Sequence, residues 1–161
     1  MFTKISKFNA KDINPVSLRN RAENEAKQIW NNPKSRRGRT YKQLLADCML
    51  GQAAEIHLLN CGYKDNPKKY MDVKEPDETT VEVKVITNKN LRYVEASVNN
   101  TLDRCAKQKL TSLSSQVYEF AKKIYMYTCD EKTPDYNLIG IYEWNDSKKQ
   151  FIGVQKSNDV L

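Results

Sequence analysis

The stretch TTVEVKVI, Thr79 to Ile86, constrains the fold more than any other segment, because a strand sends successive side chains to opposite faces. Val81, Val83 and Val85 fall on one face, while Thr80, Glu82, Lys84 and Ile86 share the other. A face of three valines belongs in a core, so the segment is read as a sheet strand. Glu82 and Lys84 are then held close together on the opposite face of that strand. Before it stands Glu75-Pro76-Asp77-Glu78, a turn built from good turn formers, and before the turn Lys69 to Lys74 is expected as the antiparallel partner. A four-residue turn at 75–78 sets residues near 72 or 73 opposite 81 or 82.

The surrounding segments supply the rest of the domain. Asn14-Pro15 is an N-cap followed by proline at the first helical turn, and predicts a helix from Val16 to Trp30 that stops before Asn32-Pro33. Thr40 is placed to cap a second helix from Tyr41 to about Asn60, with Gly62 as its stop. Leu91 to Val98 is read as another strand, followed by a helix from about Thr101 to Tyr118. Ala121 to Thr128, Tyr136 to Trp144 and Gln150 to Gln155 are further strands, separated by turns at Pro134-Asp135 and Asn145-Asp146. The resulting order, two helices, three strands, a helix and three strands, is a mixed α/β arrangement with helices flanking a sheet. The 161 residues suffice for one domain with a real core.

No segment approaches the roughly 20 apolar residues of a membrane span, and MFTKISKFNAKD lacks a signal-peptide apolar region, so a cytoplasmic protein with no membrane contact is expected. Cys48, Cys61, Cys105 and Cys129 are widely spaced and accompanied by a single histidine, His57, which excludes the usual zinc spacings and suits buried reduced thiols. The net charge of +7 is one-sided: residues 1–45 hold eleven Lys/Arg against three acids, and the remainder sums to −1. Such a footprint suits a polyanion. Lys34, Arg36, Arg37, Arg39 and Lys42, in KSRRGRTYK, are the candidates for contacting nucleic-acid phosphates, with Arg104, Lys107 and Lys109 extending the contact.

The acids point to chemistry. A Mg²⁺ ion takes one or two carboxylates and keeps waters and substrate phosphate oxygens, and a nearby lysine can orient or deprotonate the attacking water. Glu55 on the second helix, an aspartate across from Glu82, Glu82 itself and Lys84 contain those parts. Two aspartates compete for the second position. Asp77 lies at the turn tip, where side chains meet solvent; Asp72, on the preceding strand, can reach the face of Glu82 and is the choice. Glu23 is an alternative to Glu55. His57, two residues beyond Glu55, points off that face and is read as structural.

Gly51-x-Ala53-Ala54-Glu55, Tyr70-Met71-Asp72-Val73 and Val81-Glu82-Val83-Lys84-Val85, spread over residues 41–128, together resemble the PD-(D/E)XK nuclease superfamily. The resemblance implies a restriction-endonuclease-like mixed β-sheet flanked by helices, with an N-terminal helical extension. Residues 1–161 would then be a single nuclease domain: a basic helical arm at 1–40, a catalytic core at 41–128 and C-terminal strands at 129–161. It further implies that Glu55, Asp72, Glu82 and the Val83 backbone hold Mg²⁺, with Mn²⁺ able to substitute, and that Lys84 assists the water. The activity implied is metal-dependent hydrolysis of DNA phosphodiesters, most simply by an endonuclease leaving 5′-phosphate and 3′-hydroxyl ends. A junction or repair nuclease, or a nucleic-acid-binding module without chemistry, are the alternatives. Cutting both strands of a duplex would favour a homodimer.

Overall fold

The alternation of Thr79 to Ile86 is realised in a sheet buried on both faces. The structure, a computed structural model, describes residues 5–66, 72–87, 93–115 and 119–156. Its strands are β1 (Lys7–Asn9), β2 (Lys64–Asp65), β3 (Val73–Lys74), β4 (Thr80–Thr87), β5 (Lys123–Asp130), β6 (Asp135–Asn145) and β7 (Gln150–Lys156). Its helices are α1 (Pro15–Trp30), α2 (Tyr41–Asn60) and α3 (Val94–Ser115). The strands form one mixed sheet ordered β1-β6-β5-β4-β3-β2, and β7 also pairs with β6. β4 and β5 run parallel, joined through α3; the other pairs are antiparallel.

Val81 and Val83 pack with Ala53, Ala54 and Leu58 of α2, joined by Tyr125 and Tyr127. On the opposite face, Ile86 meets Ile124, Met126 and Phe120 together with Val98 and Cys105 of α3. β5 is apolar on both sides because it lies between β4 and β6 with a helix over each face. α1 packs along α2 through Ala22 and Ala26 against Leu44 and Cys48. Each fully buried valine or leucine contributes about 1.5–3 kcal/mol, and a one-residue slip would expose the whole valine set. The register of β4 is therefore set by its valine face, whatever charges the other face carries.

The helix ends follow their local chemistry. Asn14 Oδ1 accepts from the N–H groups of Val16 and Ser17 at 3.0 and 3.1 Å, with Pro15 in the first turn. Thr40 and Gln43 form a reciprocal capping box at the start of α2. Gly62, at φ +98°, takes the left-handed turn that ends it.

Two expectations are corrected, and one strand is added to them. Val94 to Val98 belongs to α3 rather than to a strand. Val98, Cys105, Lys109 and Ser112 are its buried positions, and their spacing of seven, four and three is that of one helical face. An apparent alternation around Val94 and Val98 samples that face only at its edge. The N-terminal segment is not purely helical either: Lys7, Phe8 and Asn9 pair with Asn137, Tyr136 and Asp135, and Phe8 stacks on Tyr136 at 4.5 Å. Lys64–Asp65, not foreseen, pairs with Val73–Lys74 at the opposite edge. Of the expected strand 69–74, Lys69 to Met71 lie outside the described residues, as do Leu91, Arg92 and the last residues of the expected helix to Tyr118. Cys48, Cys105 and Cys129 are buried and Cys61 is half-buried, all four as thiols. Among the described residues no helix is long and apolar enough to cross a membrane.

Candidate active site

The hairpin delivers Asp72 to β4 through the backbone. Val73 pairs with Val81, and the Asp72 N–H donates to the Val81 carbonyl at 3.2 Å. Paired β3 ends at Val73, and beyond it the Asp72 side chain takes over: Oδ2 accepts the Val83 N–H at 2.7 Å. A side chain thus replaces a ladder bond, which satisfies a donor that the short partner strand leaves open. It also fixes the carboxylate beside the residue that separates Glu82 from Lys84. The Val83 carbonyl points to the same edge as its N–H, as in any strand.

Glu82 and Lys84 lie on the face opposite the valines, with Lys84 Nζ 3.3 Å from Glu82 Oε1. The Glu82 side chain retains 13% of its exposure and that of Lys84 30%, so the ammonium is the more open of the two. Asp77 stays at the turn, exposed, where its Oδ1 accepts the Thr79 N–H at 3.0 Å. The turn closes through Glu78 N–H donating to the Glu75 carbonyl at 2.9 Å, with Glu78 itself at φ +76°.

Glu55 is 5% exposed, not a surface residue snorkelling from the helix edge. Its cation is Arg21 of α1, 3.7 Å away, which also reaches Asp65 at 3.4 Å and donates from Nε to Gln52 Oε1 at 2.8 Å. Glu23, the alternative, is instead held by Arg19 at 2.6 Å on the outer side of α1. Glu25, one turn beyond Arg21, is close enough for its charge to act on both Glu55 and Glu82. Sequence reasoning passes over Arg21 and Glu25. The available signal is their position flanking Ala22 and Ala26, the two buried positions of α1.

These acids are crowded. Burial first, then the charges of Glu25 and Glu82, push the Glu55 carboxyl well above its usual range against the opposing Arg21. Burial, then Glu55 and Glu82, do the same to Asp72, opposed by the Val83 N–H and Lys84. Burial also raises Glu82, with Lys84 the main opposing charge. Glu82 in turn raises Lys84 and keeps it an ammonium, overcoming its own burial. Five carboxylates, Glu25, Glu55, Asp65, Asp72 and Glu82, share two cations, Arg21 and Lys84, so the region is short of positive charge. Among the described residues no three His, Cys, Asp or Glu side chains form a group able to hold a metal ion. Asp72 and Glu82, near enough to hydrogen-bond, are a two-carboxylate set. That set, with the Val83 carbonyl, matches the donor chemistry of Mg²⁺, which retains waters and substrate oxygens for its other positions.

Replacing Arg21 by Gln strips Glu55 of the cation that it touches. Because Arg21 is one-third exposed, the loss is discounted to roughly 1–2 kcal/mol. Thermal unfolding at neutral pH should show a drop of roughly 2–8 °C. Adding Glu55→Gln should recover most of it, since no lone buried charge then remains; a double variant as unstable as Arg21→Gln would show that Arg21 acts through Gln52 and Asp65 rather than through Glu55.

The basic loop divides into two sets. Arg36 donates to the Trp30 carbonyl at 2.6 Å and lies 3.9 Å over the Trp30 ring. Arg39 donates to the carbonyls of Arg36 and Ser35 and to Asp47 at 3.0, 3.2 and 2.9 Å. These two shape the loop. Lys34, Arg37 and Lys42 are exposed. Lys109, expected as a surface contact, is 2% exposed and donates to the Phe120 carbonyl at 2.6 Å and to Glu119 at 3.2 Å, so it fastens the end of α3. Arg104 and Lys107 remain exposed on that helix. His57 stacks on Phe8 at 4.1 Å, as a structural histidine would.

Comparison of the chain with protein-family models, curated proteins and solved structures gave no match.

Proposed function

We propose that the chain is a divalent-metal-dependent nuclease hydrolysing DNA phosphodiesters, with a restriction-endonuclease-like core of the PD-(D/E)XK kind at residues 41–128. The observation that carries this reading is the bond from the Val83 N–H to Asp72 Oδ2 at 2.7 Å, which sets an aspartate beside Glu82 and Lys84 in a region short of positive charge. Exposed acids on a sheet would repel one another into solvent. Here burial holds them together, an arrangement whose cost is removed by a bound cation.

Asp72, Glu82 and the Val83 carbonyl would hold Mg²⁺ or Mn²⁺, with Glu55 facing the same region from α2. When bound, the ion supplies Lewis-acid polarisation of the phosphoryl group and eases deprotonation of water. The protein's own groups do the rest. Lys84, kept protonated by Glu82, donates a hydrogen bond that orients the attacking water in line with the scissile bond. Its charge also offsets the negative charge that grows on the phosphoryl oxygens. Arg21 fixes the Glu55 carboxylate from behind.

Closed circular duplex and single-stranded DNA, incubated with Mg²⁺, with Mn²⁺ or with EDTA, test the reading. Nicked or linear product with either ion and none with EDTA is the expected result. DNA that is bound but left intact under all three conditions would turn the protein into a binding module and overturn it.

A further inference from the structure

Asp72 precedes a strand too short to hold it firmly. β4 is fixed to β5 along Val81 to Thr87, whereas β3 pairs with β4 through Val73 and Lys74, and its outer neighbour β2 adds Lys64 and Asp65. The fastening lies in the turn that follows β3. The Glu75 N–H donates to the Thr79 carbonyl at 2.8 Å, and the Glu75 carbonyl accepts the Glu78 N–H at 2.9 Å, so both backbone groups of Glu75 close the hairpin. Its side chain then leaves the hairpin. It crosses β4 to β5, where Lys123 Nζ donates to both carboxylate oxygens at 2.9 and 3.2 Å and the Tyr125 hydroxyl donates to Oε2. Lys123 and Tyr125 pair with Val81 and Val83, and Val81 lies opposite Val73, so the link spans the hairpin at the level of the candidate site.

This carboxylate is enclosed rather than solvated. The Glu75 side chain keeps 14% of its exposure and that of Lys123 22%, while Tyr125 is buried in the cluster of Val81, Val83 and Leu58. The single Tyr125 O–H is directed at Glu75, so the Tyr63 hydroxyl, 2.7 Å away, donates to the Tyr125 oxygen. Burial first, and then these bonds, push the Tyr125 hydroxyl far above its usual value, which keeps it a donor. Glu78 of the same turn differs: its side chain is 58% exposed and pairs with Lys64 and Lys74, which belong to β2 and β3. A carboxylate withdrawn from water costs stability unless donors meet it. Both groups that meet the Glu75 carboxylate come from β5.

We propose that Glu75 is a positioning residue: tied to Lys123 and Tyr125, it pins the end of β3 across β4 and so holds the Asp72 carboxylate, three residues earlier, on the Val83 N–H. A strand of two paired residues transmits a shift at one end to the other. Released at the turn, β3 would carry Asp72 off the Val83 N–H. The positioning stands on the hairpin alone; its consequence for a metal ion rests on the nuclease reading.

Hydrogen exchange at the Val83 amide reads the placement of Asp72 without any activity, because that N–H bonds to Oδ2 at 2.7 Å. Asp72→Ala sets the scale for complete loss of the bond. Two variants cut the tether: Glu75→Ala, and Glu75→Met combined with Lys123→Met, which leaves no lone charge behind. Each should speed Val83 exchange roughly tenfold relative to the amides of Tyr125 and Met126, the order expected for one hydrogen bond to a charged group. The comparison is with β5 because a general loss of stability speeds all of these amides alike. Glu75→Gln retains an acceptor on a side chain of the same length and should keep most of the protection; Glu78→Gln should leave it unchanged. In the nuclease, the Mg²⁺ concentration for half-maximal cleavage should rise roughly tenfold in both tether variants, the scale of losing a group that orients a metal ligand, with DNA affinity in EDTA unaltered. Val83 exchange that keeps pace with β5 in both tether variants would overturn the positioning role. Faster Val83 exchange in these variants, from a parent that neither gains stability from Mg²⁺ nor cuts DNA, would leave the positioning role standing and remove the nuclease reading.

Discussion

Asp72→Asn is expected to abolish cleavage while making the metal-free protein more stable at neutral pH. Asparagine keeps the size of the side chain and an oxygen that accepts the Val83 N–H, so the hairpin should hold. What it removes is the charge that would hold a divalent ion next to Glu82. Cleavage should fall by roughly 10³-fold or more at millimolar Mg²⁺, the scale set by losing a principal electrostatic group. The opposite effect on stability follows from crowding. Because burial, Glu55 and Glu82 raise the Asp72 carboxyl, the folded chain at intermediate pH retains a proton that the unfolded chain has released. Stability then falls as pH rises from the unfolded aspartate value, about 3.9, through the raised folded one. The asparagine variant has no proton to lose at this position, so its advantage grows as pH rises from the unfolded value through the raised folded one and vanishes in acid. A gain of about 1 kcal/mol corresponds to roughly 2–4 °C for a domain of this size. Added Mg²⁺ should stabilise the parent and leave the variant unchanged. Asp77→Asn is the control, since asparagine can still accept the Thr79 N–H at an exposed turn. If Asp77→Asn lost activity and Asp72→Asn kept it, the two aspartates would have to exchange roles.

Lys84→Met is the second large effect. Methionine preserves most of the stem volume and removes the ammonium. Turnover should drop by roughly 10²-fold or more, without a comparable change in DNA affinity measured in Ca²⁺. Raising the metal concentration should not restore it, which distinguishes this variant from one that has merely lost ion binding. Because the ammonium lies 3.3 Å from Glu82, its removal should also lower stability at neutral pH and less so in acid, where Glu82 takes up a proton. Turnover at the parental rate would remove Lys84 from the mechanism.

The parts of this arrangement that are legible in the sequence are those enforced locally. Thr80 to Thr87 can be divided into two faces because burial of Val81 and Val83 leaves one register open. Asp72 can be preferred to Asp77 from turn length alone, and Val73 does oppose Val81. Thr40 and Gly62 bound α2 through their own cap chemistry. The missed features depend on partners distant along the chain. β1 has three residues, too few to show a period, and exists because β6 offers it an edge. Arg21 acquires its meaning from Gln52, Glu55 and Asp65, and Lys109 from the Phe120 carbonyl. Nothing in KSRRGRTYK separates Arg36, which covers Trp30, from Arg37, which does not. α3 begins earlier than its pattern suggests, because the edge of a widely spaced helical face imitates alternation by twos.

The pairing of both terminal strands with β6 carries a topological consequence. Along one edge of β6, Gln150 to Lys156 run opposite Asn145 to Gly140, and Lys7 to Asn9 then run opposite Asn137 to Asp135. β7 and β1 thus point the same way and lie end to end, like one strand interrupted. Lys156 and Lys7 oppose positions only three residues apart on β6, a gap of roughly 10 Å. A linker of a few residues would close the described chain into a ring without disturbing a single pairing. New ends could then be opened at the exposed turn 146–149, giving a circular permutant in which β7 feeds directly into β1 and the residues from Glu55 to Lys84 remain on one uncut stretch.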